Sequence, residues 1–578
     1  MRLNLKTWHC LALLTLAVLV AYFPSLSAGY NSIDDLKMIS WIDQMGPIDL
    51  HQLFFGGNYY YRPLTILSYL LDRDLWGLIP SFMHLGNILL HLACALLVFV
   101  ITKRLLPLWG AKGEGPALFA ALFFALHPIA TESVSWISGR TDPLMAVFLL
   151  LAVWLSLLAL PTGRPLVALA GGVALFLACL AKEVAVFILP ALLWLIVVYP
   201  GHGGWLDRLR RRWWALLTPT VGVIGYFALR HLAIASDSGI NTALKGVTGG
   251  GDYDLLDKAR VAFKVYGFYV KKLFVPWPLN FAIVEISDWY VLAGIILAAL
   301  LLYLIWRADI AGAFGLMAFC VLSPSLLVVF GKMAWTPLAE RYLYTSVALF
   351  APLAAFIILR LRTLVSVAVK RRCNLALALL LMVFFATTLH RSWIWQDNLR
   401  LYQDTLAKSP NLAPVQTELA SALMRKGRVV EAQEILTGMQ TASNASDYIN
   451  DDMNLAGNLL SSGDLDKARA ILLPLLQTNS KQHYELLQHL LRINDHRIGR
   501  AETPELQLAI QQESLVWLQE QQHLRPSAFT IFRIAKMQLS MGDKTEALIS
   551  FRSALEKTPA DAYYRGAAET FIKQLEGL

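Results

Sequence analysis

From residue 8 to about residue 390 the chain is a series of apolar runs parted by short polar loops, and this feature constrains the fold more than any other. A helix of roughly 20 apolar residues crosses a bilayer, and inside lipid only helices and closed barrels can satisfy every backbone group. Candidate spans fall at 8–26, 83–102, 116–131, 142–160, 165–181, 184–200, 213–233, 289–306, 312–331, 337–359 and 373–390. Several are near or below the ~20 residues that cross without thinning the bilayer. Composition agrees: 56% of the 578 residues are hydrophobic and 16% are charged, with a positive mean hydropathy. Those values exclude an ordinary soluble globule. Past residue 390 the text changes to Gln, Glu, Asp, Asn and Lys with short Leu/Ala patterns. The expectation is an all-α chain, a polytopic membrane domain over 1–392 followed by a helical soluble domain over 393–578.

The start, Met1-Arg2 through Lys6 and then an apolar run, resembles a signal peptide. No small-x-small cleavage site is clear and more spans follow, so a retained first span is the better reading. The five cysteines (Cys10, Cys94, Cys179, Cys320, Cys373) lie in or beside apolar segments without metal-type spacing. They read as packing residues.

The net charge of +9 is informative through its distribution. Lys and Arg gather at Lys103-Arg104-Lys112, at Arg208-Arg210-Arg211-Arg212, and at Arg360-Arg362-Lys370-Arg371-Arg372. Positive loops stay cytoplasmic, so these clusters should share a side with Met1. The stretch Arg260 to Pro276 is apolar but carries Arg260, Lys264, Lys271 and Lys272. If it crossed, the Arg360–Arg372 cluster would fall outside, so it is expected to lie along the interface as an amphipathic helix. About eleven crossings remain, with the N-terminus inside and the C-terminal domain outside.

That topology brings the span-flanking charges to one face. The non-cytoplasmic side receives Asp34-Asp35, Tyr61-Arg62-Pro63, the segment from His127 through Glu132 to Asp142, Lys182-Glu183, and Glu340-Arg341-Tyr342. Ionisable groups near a membrane core cost several kcal/mol unless paired, wet or useful. Any one of these is explained equally by a structural ion pair, a snorkelling head or a solvated loop acid. Five clusters on one side favour a shared site. A carboxylate there offers a base for an incoming hydroxyl. Arg62, Arg140, Lys182 and Arg341 offer cations for a phosphate. Tyr59, Tyr60, Trp136, Tyr342 and Tyr344 suit a sugar face or an isoprenoid groove, although aromatic residues at span ends are also plain interface anchors. A base, a phosphate clamp and a membrane location together suggest glycosyl transfer from a lipid-phosphate sugar. No Walker loop, Rossmann fingerprint or zinc motif occurs, which argues against nucleotide-driven transport and a soluble nucleotide-sugar donor. Asp34, Asp35 and Glu132 could hold a divalent ion, and an ion-free mechanism is equally open. The Lys and Arg clusters read as cytoplasmic loops, and no nucleic-acid partner is expected.

The C-terminal region carries a repeat. Leu419-Ala420-Leu423-Ala432-Leu436 recurs as Leu455-Ala456-Leu459-Ala468-Leu472 and as Ile534-Ala535-Gln538-Ala547-Phe551, with Ala554 and Pro559 completing the last. These are the small and large positions at which two helices of a ~34-residue tetratricopeptide (TPR) repeat interlock. Gly427, Gly463 and Gly542 mark the turn between helices, and 481–525 reads as a degenerate pair or an insertion. The sum is a short α-solenoid with a concave face, suited to binding a protein or peptide or to bracing the membrane domain.

The ordered set Tyr61-Arg62-Pro63-Leu64-Thr65, His84-Leu85-Gly86-Asn87 through His91, His127-Pro128 with Thr131-Glu132, Trp136 through Arg140, Lys182-Glu183, Glu340 through Tyr344, and Trp395-Gln396-Asp397 with Leu401-Tyr402 resembles the TMTC family. Those are membrane O-mannosyltransferases with C-terminal TPRs, within the GT-C class that uses polyprenyl- or dolichyl-phosphate sugars. The resemblance implies a GT-C-type helical domain in which Asp34 or Asp35, with Asp35 favoured, is the catalytic carboxylate. It also implies that Arg62, Glu132, Arg140, Lys182, Arg341 and Tyr342 line the donor pocket. The chain has far fewer repeats than animal members, so the protein acceptor and the mannose stay open.

Three functions remain. One is transfer from undecaprenyl- or dolichyl-phosphate sugar to an exported protein recruited by the TPRs. The second is modification of lipid A or an envelope polysaccharide, and the third is a non-enzymatic TPR membrane scaffold. Short external loops and few repeats point to a bacterial inner membrane with the TPRs in the periplasm, the alternative being the endoplasmic reticulum with luminal TPRs.

Overall fold

The structure, a computed structural model, describes residues 6–55, 61–201, 204–233, 255–331, 336–410, 412–428, 430–435, 456, 459–460, 464–477, 483–558 and 565–576. Among these residues there is no strand, only an isolated antiparallel bridge between Ile283 and Leu338. The chain is all-α.

It divides into two compact units, 1–410 and 411–578. The first therefore runs past the expected boundary at 392, because the junction helix Asn398–Leu406 packs onto it. Tyr402 bonds through its hydroxyl to Ser32 Oγ at 2.7 Å, and Asn398 Nδ2 donates to Tyr30 O at 2.9 Å. Asp397 starts that helix by accepting from Leu399 N at 2.9 Å, an ordinary N-cap.

Among the described residues of the first unit seven helices are long and apolar enough to cross a bilayer: Pro80–Trp109, Ser138–Thr162, Leu206–Ala233, Tyr290–Arg307, Ile310–Phe330, Glu340–Thr363 and Val367–Trp395. Four shorter apolar helices, Thr7–Ala21, Gly115–Ala125, Pro165–Ala181 and Glu183–Val198, accompany them. These helices mark a membrane protein. Their shared core is built from Leu, Ala, Val and Phe at helical spacing, with Phe99, Phe124, Phe314 and Tyr344 almost wholly buried.

The stretch expected at the interface forms the helix Leu255–Phe274, outside the set of membrane-length apolar helices. One face buries Val265, Phe268, Tyr269 and Lys272. It presses onto the helix Tyr290–Arg307 at a pair of glycines. A Cβ on Gly267 would lie 1.8 Å from Tyr290 O, and one on Gly294 2.0 Å from Phe263 O, so the two backbones touch where no side chain fits.

Three times a span is interrupted beside a charged group. Trp136, Lys182 and Ala339 are extended, and each leads into a 3-10 turn: Ser138–Arg140, Glu183–Ile188 and Glu340–Leu343. Irregular backbone at the end of a membrane helix is tolerated where it lines a cavity or is buried in protein. Here it does both. The loop after the first helix folds back as the amphipathic helix Asp35–Gln44, whose Ile42 joins Leu53, Ile66, Tyr69, Leu70 and Ile137 in a small separate core.

The second unit is a run of helices. Ala413–Arg425 and Leu465–Leu472 are followed by the pair His483–Ile498 and Pro504–Leu524, in the stretch that lacks the repeat signature. Ala528–Ser540 and Lys544–Lys557 then pack through Ala535, Ala547, Phe551 and Ala554, the positions the repeat alignment marks as interlocking. Gly427 and Gly542 hold φ of +76° and +93°, the left-handed turn that ends a helix. Leu436, Leu455, Gly463 and Pro559 lie outside the described residues, so the middle repeat is only partly seen.

Candidate active site

The 3-10 turns and the first loop enclose a cavity of about 850 Å³. Asp34, Arg62, Lys182, Arg341 and Tyr342 line it, with Ser138, Asp142 and Glu183. Trp41, Trp136 and Tyr69 add aromatic surface, and Val321, Leu322, Pro324 and Val328 give one apolar wall. Tyr59 and Tyr60 lie outside the described residues.

Each cation at the cavity is held by one carboxylate. Arg62 makes a fork onto Glu183, Nε to Oε2 at 2.8 Å and Nη2 to Oε1 at 2.5 Å. Lys182 Nζ donates to Asp142 Oδ1 at 2.6 Å, and among the described residues that is the only acceptor for its three N–H groups. Arg341 pairs through Nη1 with Glu132, which also accepts from the Arg341 backbone N–H at 3.1 Å. Its guanidinium lies 5.2 Å from the Trp136 ring and 5.1 Å from the Tyr342 ring, within cation–π range. Pairing makes these buried charges tolerable and fixes the direction in which the remaining N–H donors point.

Asp34 is different. It sits at the N-cap of the helix Asp35–Gln44, a place where an aspartate ordinarily accepts from the first turn, yet its side chain makes no cap bond. Among the described residues no cation pairs with it and no donor bonds its carboxylate, which is exposed to the cavity rather than enclosed by protein. Partial desolvation raises its carboxyl above the ordinary range, opposed by the nearby Arg341 and Lys37.

Asp35 is placed otherwise. It is 1% exposed, away from the cavity lining, and accepts from Asn31 N at 2.8 Å, Ser138 N at 2.9 Å and Ser138 Oγ at 2.5 Å. Burial pushes its carboxyl up to about 6, against the pull of those donors. It ties the first loop to the turn Ser138–Arg140. Tyr402 supports the same loop from the junction helix, reaching Asn31 Oδ1 at 3.3 Å.

Two more of the expected pocket residues stand behind the lining. Arg140 is 2% exposed and spends its donors on Asn87 Oδ1 at 2.8 Å, Met83 O at 2.9 Å and Ser68 O at 3.3 Å, with Asp72 as its counter-charge. Arg140 is not among the residues that line the cavity, and its donors are spent on these partners. Glu132 is 2% exposed and acts through Arg341. The tight turn between them needs a glycine: a Cβ on Gly139 would stand 2.9 Å from Ser133 O. Of the trio Asp34, Asp35 and Glu132, only Asp34 faces the cavity, and among the described residues no three His, Cys, Asp or Glu side chains are grouped as metal ligands.

Sequence reasoning did not single out Asp72 or Trp41, and it named Ser138 only within the run Trp136–Arg140. Asp72 had a signal, an acid inside the apolar text of the helix Pro63–Trp76. Trp41 had none of its own.

No protein-family model matches the chain. Curated relatives do. Protein O-mannosyl-transferase TMTC1 of Mus musculus is 40% identical over 93 residues, 16% of this chain and 9% of the relative. Protein O-mannosyl-transferase TMTC2 of Homo sapiens is 42% identical over 99 residues, 17% of this chain and 11% of the relative. Over such stretches the chain is TMTC-like. Protein O-mannosyl-transferase TMTC3 of Homo sapiens extends the likeness to 162 residues at 28% identity, 26% of this chain and 17% of the relative. The chain thus matches under a fifth of the length of each of these relatives.

Proposed function

We propose that the protein is a membrane glycosyltransferase of GT-C type that moves a sugar from a polyprenyl-phosphate donor to a hydroxyl of an exported protein. The observation that carries this reading is Asp34, an acid without a cation partner among the described residues, in a cavity where Arg62, Lys182 and Arg341 are each held ready by a carboxylate. The relatives named as protein O-mannosyl-transferases support mannose and a protein acceptor.

In this mechanism the acceptor hydroxyl oxygen forms the new bond to the anomeric carbon while its proton passes to Asp34. The bond from that carbon to the phosphate oxygen breaks, and its electron pair stays on the departing lipid phosphate. Lys182 and Arg341 stabilise the charge that develops there. Trp136 and Tyr342, stacked with Arg341, offer faces for the sugar, and the Val321–Val328 wall suits the first isoprenes of the carrier. Asp35, Glu132 and Arg140 position the lining without touching substrate. The setting of this reading is a bacterial inner membrane, with the TPR-like C-terminal unit in the periplasm recruiting the acceptor. The endoplasmic reticulum membrane is the alternative setting.

The test is intact-mass and glycan profiling of exported proteins and envelope glycans from cells with the parent chain, no chain, or Asp34→Asn. A hexose-sized mass lost from a protein in both altered strains supports the proposal. A change confined to lipid A or polysaccharide, or no change with the chain well expressed, refutes it.

A further inference from the structure

A second cavity, about 740 Å³ and sharing no lining residue with the first, opens between the last turns of the helix Val367–Trp395, the segment at Trp277 and the end of the junction helix. Its charged groups are Arg391, Asp404 and Lys408, beside the polar Thr387 and His390. Arg391 is 3% exposed and pairs with Asp404, while Lys408 Nζ lies 2.6 Å from both Asp404 oxygens. Two cations against one carboxylate leave a charge of +1. Arg391 Nε is buried with no hydrogen-bond partner among the described residues, and a guanidinium N–H left so is costly unless an acceptor arrives.

The apolar part continues along the helix. Leu375, Leu379 and Met382 are 66%, 59% and 64% exposed, and at three- and four-residue spacing this stripe runs on into Ala386 of the cavity. Exposed apolar side chains on a membrane-length helix face lipid tails. A cationic pocket at the head of such a stripe has the shape and charge of one amphiphile, a phosphate group with hydrocarbon beneath it.

We propose that this cavity binds an anionic phospholipid of the bilayer, its phosphodiester on Arg391 and Lys408 and an acyl chain along Leu379 and Met382. The +1 charge matches a single phosphodiester, and the stripe opens to the bilayer rather than to the Asp34 cavity. The site does not depend on the glycosyltransferase reading.

The experiment is native mass spectrometry of the purified full-length chain titrated with phosphatidylglycerol, phosphatidylcholine, undecaprenyl phosphate or inorganic phosphate. One phosphatidylglycerol should bind in preference to phosphatidylcholine. Lys408→Glu, which reverses one charge, should weaken that binding by roughly tenfold or more. Ala386→Trp, an exposed position away from the ion pairs, should block the chain path to a similar degree. It keeps the test valid if Lys408→Glu fails to fold. Equal binding of the two phospholipids, or parent-like binding by Ala386→Trp, overturns the proposal. So does displacement of phosphatidylglycerol by undecaprenyl phosphate at lower concentration, which would assign the cavity to the carrier, or by inorganic phosphate alone, which would make it a free-anion site.

Discussion

Asp34 and Asp35 are neighbours in sequence with opposite surroundings, so the same change from carboxylate to carboxamide should separate two roles. At Asp35 three donors converge on two oxygens. An asparagine there supplies one oxygen and turns an NH₂ group toward a backbone N–H, leaving a buried donor unsatisfied. Loss of a charge-assisted bond and one orphaned donor together cost about 3 kcal/mol. Asp35→Asn should therefore melt several degrees lower in detergent, and its transfer should fall in step with the folded fraction. At Asp34 the side chain caps nothing and pairs with no described cation, so Asp34→Asn should shift stability by no more than about 0.5 kcal/mol. Removing a general base should lower transfer by about 10²–10⁴-fold, equivalent to about 3–5 kcal/mol on the barrier. The assay measures transfer of labelled sugar from a polyprenyl-phosphate donor by purified protein, beside a melting curve of each variant. If Asp34→Asn melts and transfers like the parent, the base is not Asp34. If Asp35→Asn melts like the parent yet loses transfer, the two roles are reversed.

The same geometry supports four further tests. A base must be ionised to act, and burial raises the Asp34 carboxyl, so transfer should be lost as pH falls through a limb lying above the ~3.9 of an ordinary aspartate; a pH–rate profile reads it, and Asp34→Asn should abolish the limb. Glu132→Gln leaves the Arg341 guanidinium without its counter-charge and should destabilise by about 3–5 kcal/mol, with Arg341→Gln added to it restoring melting temperature but not transfer. Arg62→Lys cannot keep the fork on Glu183, and should raise KM for the lipid donor by about tenfold with melting little changed. Gly267→Val would drive a side chain into Tyr290 O and should cost at least about 1–3 kcal/mol, seen as a lower melting temperature in detergent.

The candidate site was legible as a set and not residue by residue. That charged groups at the span ends would meet on one face comes from charge counting, because burying them singly in lipid is too costly. Asp34, Arg62, Lys182, Arg341 and Tyr342 do share a cavity. Sequence spacing could not separate Asp34 from Asp35, since adjacent residues on a loop differ only by which way each side chain turns. Nor could it show that Arg140 is consumed by Asp72 and Asn87, partners lying far from it along the chain. The interfacial reading of 260–276, a stretch that carries Arg260, Lys264, Lys271 and Lys272, rests on keeping the Arg360–Arg372 cluster inside and makes its lysines surface charges. One of them, Lys272, is in fact buried against Glu340 at 2.6 Å, a pairing that no local pattern announces.

The amino-acid sequence alone dictates the features that solvent and helical period impose: helices throughout, a membrane-embedded first unit, a repeat-patterned second, and a gathering of charge at one end of the spans. Those properties are set residue by residue, through hydropathy, helical spacing and the cost of charge in hydrocarbon. Which acid is paired and which is open is settled only in the folded chain. That choice depends on bonds such as Ser138 to Asp35, Glu183 to Arg62 and Tyr402 to the first loop. Their partners stand up to some 370 positions apart, and a burial energy belongs to the finished neighbourhood and not to the residue.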